Sequence, residues 1–212
     1  MLKALVGKFV DIRDDDELKG LLIATLYGFV IMFSYYILRA VRDEISSADR
    51  GNLQLLWTAV FFVMLLAVPA YSWLASKFSR GVFVPLANRF FIACLVLFWA
   101  CLVFLPTEAR PWIDRVFYVW TSVFALFVVT VFWGFMSDCF DNSQGKRLFS
   151  FIAVGSSLGG MAGSTVTAVL AETLPVFSLL LLACIPLEAA SWCARALHLS
   201  LIHISEPTRP MK

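Results

Sequence analysis

Histidine is almost missing from this sequence. The chain has 212 residues and two histidines, His198 and His203, both near its carboxyl end. Serine is plentiful, but no Ser–His or Cys–His pair is available upstream, which excludes the usual nucleophile-and-base arrangements, and no enzyme is expected. Cysteine is sparse and odd in number. Cys94, Cys101, Cys139, Cys184 and Cys193 fall mostly in apolar stretches without metal-ligand spacing, and read as small apolar fillers rather than a disulfide framework or a zinc site. Charge is scarce as well. Asp, Glu, Lys and Arg make up 15% of the chain, against about 25% in a soluble domain. The formal net charge of +2 is too close to neutral for a nucleic-acid binder.

What fills the sequence instead is apolar. Sixty per cent of the residues are hydrophobic, 15% are aromatic, and the mean hydropathy is +0.83. These values exclude a disordered tail and almost any water-soluble globule, and predict an all-α, polytopic membrane helix bundle whose first partner is the lipid bilayer. A span needs about 20 mostly apolar residues, since a helix rises about 1.5 Å per residue and the hydrocarbon core is about 30 Å thick. Six segments qualify: about 21–38, 53–74, 82–105, 117–135, 148–170 and 174–197. The break at Glu172-Thr173 is so short that the fifth and sixth spans are expected to form a tight antiparallel hairpin. Pro69, Pro85, Pro175 and Pro186 are expected to bend helices.

Residues 1–19 carry Asp11, Asp14, Asp15, Asp16 and Glu17, which argues against a cleavable signal peptide. Two readings stand for this segment. It is an interfacial amphipathic stretch, with Leu2, Leu5, Val6, Phe9 and Val10 on one side, or a flexible tail. Orientation follows from basic residues in the loops. Lys3, Lys8, Arg13, Lys19, Lys77, Arg80, Arg89, Lys146, Arg147 and Arg195 fall on one side, and Arg39, Arg42, Arg50, Arg110 and Arg115 on the other. Ten against five, or nine against five with Arg89 counted inside the third span, puts both ends of the bundle in the cytoplasm. The bundle is read as residues 20–197, and 198–212 as a tail foreign to it. Leu199 to Arg209 reads like one frame of a sequencing adapter, so native sequence is expected to end near Ala196 to Leu199, and His203 and Glu206 are given no role.

Charges inside an apolar chain need a reason, because one at mid-membrane costs roughly 2.5–3.5 kcal/mol on insertion scales. The richest group closes the first span. Helical spacing puts Tyr35, Arg39 and Arg42 on one face, and Arg39 and Asp43 four residues apart, within pairing reach. With Tyr36, this makes either a cradle for a phosphate or carboxylate, or an anchor snorkelling to headgroups. Asp138 and Asp141 leave the fourth span and Lys146 and Arg147 enter the fifth, either as a latch on one conformation or as solvated ion pairs. Gly155, Gly159 and Gly163 recur every four residues and bare one face of the fifth span, for static close packing or for a sliding interface. Asn88 and Arg89 lie near the start of the third span, and Glu188 lies within the sixth. Glu188 is either a proton carrier or a hydrogen-bonded structural acid.

Several of these blocks resemble a known family. Six spans with a short basic connector, Ser76-Lys77-Phe78-Ser79-Arg80-Gly81, look like the amino-terminal half of the major facilitator superfamily, although the connector lacks the family's acid. Leu38 to Asp43, Phe132 to Asp138, Lys146 to Phe149 and the glycine run Gly155 to Gly163 are similar to its ATP/ADP translocase-like branch. Arg42-Asp43 stands where the exchangers carry a Lys-Asp pair important for transport, and Gln144 where they tend to carry an acid. The resemblance implies a secondary active transporter that moves a small anionic metabolite by alternating access, with nucleotide exchange as the specific case and without a cofactor. Arg39 and Arg42 would meet the anion, Tyr35 and Tyr36 would shape the cavity, and Asp43 would orient the arginines. Asp138, Asp141, Lys146 and Arg147 would gate the cytoplasmic side. A missing carboxyl-terminal six-helix half would complete the site. A membrane scaffold whose charges only anchor loops is the competing expectation.

Overall fold

The computed structural model describes residues 12, 15–78 and 80–205, with Arg80 and 201–205 described through their backbone alone. Most of the segment expected to be amphipathic, including Leu2, Leu5, Val6, Phe9 and Val10, lies outside the described residues, as do 206–212 of the expected tail. Among the described residues there are six long helices and no strand. They are α1 (Asp15–Ala48), α2 (Leu53–Lys77), α3 (Arg80–Phe104), α4 (Arg110–Cys139), α5 (Asn142–Ala171) and α6 (Ser178–Ser205). Each is long and apolar enough to cross a bilayer. The fold is therefore the all-α, polytopic bundle that the composition requires.

Several boundaries differ from the hydropathy reading. α1 starts six residues earlier than expected, at Asp15, because Asp15, Asp16 and Glu17 suit the positive end of a helix dipole. It then runs ten residues past Leu38, since no glycine or proline interrupts the chain before Gly51. Its 34 residues make a rod about 51 Å long, enough to carry Arg39 to Asp43 to the edge of the hydrocarbon core. α4 opens with Pro111 in its first turn, where a missing N–H costs nothing. α5 opens with a capping box. The Asp141 carboxylate accepts from the Ser143 and Gln144 N–H groups, and the Gln144 side chain accepts from the Asp141 N–H. Pro69, Pro85 and Pro186 lie inside helices, whereas Pro175 lies in the connection before α6 and bends none. α6 continues as helix through Leu199 to Ser205, so the expected junction falls within it.

The principal packings form a pattern. α1 is clasped between α5 and α6 and also touches α4; α4 takes α2 and α3; α3 packs along α6. The pattern is unchanged when α1, α2 and α3 are exchanged for α4, α5 and α6. α1 and α4 are three crossings apart and so begin on opposite sides of the bilayer, which makes the two triplets inverted repeats of each other. The repeats are unequally tight. α2 buries a single side chain, Leu56, while α1 and α4 are buried along most of their length. The slack leaves an apolar groove of about 960 Å³ between α2, α3 and α4, floored by Phe83, Phe91, Trp120 and Phe127.

The expected α5–α6 hairpin is not formed, because α1 lies between the two helices. The reason is shape. The bare face of α5 fits the backbone of α1, and α6 is tied to α1 by the buried Ser34 hydroxyl, which donates to the Ala183 carbonyl at 2.8 Å. Aromatic rings fill the rest of the core. Tyr27 of α1 meets Phe132 and Phe135 of α4 at 5.1 and 6.2 Å, and Phe91 and Phe98 of α3 meet Phe124 and Phe117 of α4 edge-on at 4.9 and 5.2 Å.

Candidate functional site

Two turns of α1 gather the expected cradle. Asp43 sits between both arginines, 3.7 Å from Arg39 Nε and 3.3 Å from Arg42 Nη2. The Tyr35 and Tyr36 rings meet edge-on at 5.3 Å, and the Arg39 guanidinium lies over Tyr36 at 5.5 Å. The two arginines are not equivalent. Arg39 is on the open side of α1, while Arg42 turns inward over the Tyr118 ring of α4 at 5.5 Å. Its Nε is buried and donates to nothing among the described residues. Two guanidiniums sharing one carboxylate leave the group with one net positive charge, and each can still donate to an anion. Neither cavity described in the bundle is lined by Tyr35, Tyr36, Arg39, Arg42 or Asp43.

The cradle is braced by residues that sequence reading missed. The Tyr118 hydroxyl accepts from Trp57 Nε1 at 3.1 Å, so Arg42, Tyr118 and Trp57 link α1, α4 and α2. Below them Arg115 Nε donates to Asp49 at 2.9 Å, and the Asn52 amide donates to the same carboxylate at 2.7 Å. The Arg115 and Asn52 hydrogen bonds hold the Asp49 carboxyl below the usual carboxylate range. On the other side of α1 a cavity of about 240 Å³ is bounded by Glu44, Arg110 and Asp114. Only the abundance of aromatic and charged side chains at these helix ends hinted at such contacts; their partners are 61 and 66 residues apart in the chain.

At the opposite end, the expected gating residues separate. Arg147 pairs at 2.7 Å with Glu17, whose side chain is only 3% exposed, and this bond ties the start of α5 to the start of α1. Asp141 caps α5. Asp138 and Lys146 are exposed at the same end. Glu17 was legible only as one more acid in a polar leader.

The glycine face of α5 packs on α1. A Cβ at Gly155 would overlap Thr25, and Cβ atoms at Gly159 and Gly163 would overlap the carbonyl oxygens of Phe29 and Phe33. Gly28 of α1 reciprocates against Ser156 and Phe132. Backbone therefore meets backbone along the crossing, as small-residue spacing allows. Glu188 is remote from the cradle. It accepts from Arg89 Nη2 at 2.9 Å, from Arg89 Nε at 3.5 Å and from Trp192 Nε1 at 3.0 Å. Asn88 is buried beside this pair, with its Nδ2 unmatched among the described residues. Among the described residues no group of three or more His, Cys, Asp or Glu is placed to hold a metal.

Fold and charge layout together define a multi-pass α-helical membrane protein. No known family, curated protein or solved structure matches the chain.

Proposed function

We propose that the chain is the amino-terminal six-helix part of a facilitator-type secondary transporter, seated in a bacterial inner membrane with its amino terminus in the cytoplasm. Its cargo is a small anionic metabolite, with nucleotide exchange as the specific case. The observation that carries the reading is the inverted three-helix repeat, with α1 and α4 exchanged at its centre. Alternating access needs two such related arrangements of similar energy around one site.

The sign of the cargo comes from the end of α1. Asp43 keeps Arg39 and Arg42 within reach of each other, and the buried Arg42 Nε is a donor without an acceptor among the described residues. A phosphate or carboxylate oxygen suits it, and a charge-assisted hydrogen bond contributes about 1.5–3 kcal/mol. Tyr35 and Tyr36 shape the approach. Arg147 with Glu17 closes the cytoplasmic end of the α1–α5 crossing, beside Asp138 and Lys146, and the glycine face is the surface on which α5 slides. A second six-helix half completes the cavity.

The test is uptake of labelled ADP, inorganic phosphate and dicarboxylates by proteoliposomes holding the uninterrupted gene product. Arg42→Ala is expected to lower uptake at low substrate about ten- to hundredfold, the rate equivalent of 1.5–3 kcal/mol, with insertion unchanged. Vesicles holding only these 212 residues should match empty vesicles. Uptake indifferent to Arg42→Ala would remove the site, and a long gene product that moves no anion would favour a scaffold.

A further inference from the structure

Arg89 and Glu188 form an ion pair in an unusual place. Arg89 is nine residues into the 25-residue α3 and Glu188 ten residues into the 28-residue α6, so each lies roughly 14–15 Å along its helix. That is about half of a hydrocarbon core about 30 Å thick. α3 and α6 are also the helices that the inverted repeat exchanges, which puts equivalent positions on them at equal depth from opposite faces. The pair nevertheless faces outward. The side chains are 46% and 37% exposed, and Leu181, Ile185 and Trp192, at i−7, i−3 and i+4 from Glu188, are exposed on the same face of α6.

Charged groups at this depth persist where they face a partner or a wet cavity. Glu188 is well supplied, with donors from Arg89 and Trp192. Arg89 is not. A guanidinium has five N–H donors, and among the described residues Arg89 uses one at Nε and one at Nη2, both on Glu188. The remaining three need acceptor oxygens that hydrocarbon does not supply.

We propose that this seam of α3 and α6 is where a second copy of the chain docks, about a two-fold axis along the membrane normal. The patch carries one positive and one negative group side by side at equal depth, so it is complementary to itself. A two-fold rotation sets each Arg89 against Glu188 of the second copy, and the two pairs become a ring of four alternating charges. The exposed Leu181 and Ile185 pack around that ring. The inference does not rest on the transport reading, because it uses a face remote from α1's arginines.

The experiment is energy transfer between donor- and acceptor-tagged copies of the whole chain in liposomes at high lipid dilution. Wild-type copies are expected to associate. Arg89→Glu and Glu188→Arg copies are each expected to lose association tenfold or more when alone, through like charges meeting across the axis. Mixed together they are expected to recover it, since each supplies the charge the other lacks. Arg89→Gln and Glu188→Gln, which keep a hydrogen bond within one chain, test the same contact without a repulsive pair and are expected to weaken association at least tenfold. Circular dichroism verifies that every variant is helical. Wild-type transfer at the level of random encounters overturns the proposal, and so does association indifferent to the Gln variants or a mixture of helical Glu and Arg variants that stays apart.

Discussion

Replacing Gly159 by alanine puts a methyl group where the backbone of α1 already lies. A Cβ at that position falls 2.8 Å from both the Cα and the carbonyl carbon of Phe29, whereas ordinary contact begins near 3.4 Å. The obstructing atoms are main chain, so no rotamer change relieves them. The Phe29 carbonyl oxygen lies closer still, so α1 and α5 must part by more than about 0.6 Å, and the contacts at Gly155–Thr25 and Gly163–Phe33 open with them. Overpacking costs about 1–3 kcal/mol, and a clash with main chain falls in the upper part of that range, about 2–3 kcal/mol, offset by about 1 kcal/mol of helix propensity gained over glycine. The expected net loss is about 1–2 kcal/mol. Gly20→Ala is the matched control: its Cβ meets the Phe140 ring at 3.8 Å, an ordinary contact, so only the propensity gain remains, up to about 1 kcal/mol. Reversible unfolding in mixed micelles with rising dodecyl sulfate, followed by circular dichroism, reads both changes. A Gly159→Ala chain as stable as the parent, or a Gly20→Ala chain equally harmed, would refute the idea that this crossing is set by backbone contact.

Three more outcomes follow from the charge and hydrogen-bond pairs. Arg147→Ala leaves the buried Glu17 without the guanidinium at 2.7 Å and should lower stability by about 3 kcal/mol, while Glu17→Gln with Arg147→Met should restore much of it in the same unfolding assay. The lowered Asp49 pKa makes the Asp49–Arg115 contribution full above the unfolded-state value of about 3.9, and lost as pH falls from there through the folded-state value; Asp49→Asn should flatten the stability profile over that acid window and nowhere else. Ser34→Ala removes one interhelical hydrogen bond and should cost only about 0.6 kcal/mol, measured as a small shift in the unfolding midpoint.

The helices were legible because span length and apolarity are properties of one segment at a time. All six appear close to where hydropathy puts them, with the ends of α1 extended because charge alone does not break a helix. Neighbours were not legible in the same way. A bilayer is as apolar as a leucine face, so hydrophobicity does not say which helix a face prefers, and a short loop fixes only where two ends meet. The glycine spacing announced a close approach without naming α1 as the partner. The pairing of Arg39 and Arg42 with Asp43 was readable because the three lie within about one helical turn of each other, where spacing fixes geometry. Glu17 with Arg147 and Arg89 with Glu188 span 130 and 99 residues, and only the fold brings them together.

The close fit of α1 with α5 and α6 has a consequence for biosynthesis. α1 leaves the ribosome before every other described helix, yet its two tightest neighbours are translated after all the rest. About 120 residues separate the end of α1 from the end of α5, and at 5–20 residues per second that interval lasts on the order of ten seconds. Through that interval the grooves that will receive Gly159 and Gly163 stay open to lipid, so the nascent chain matures from its last helices backward to its first.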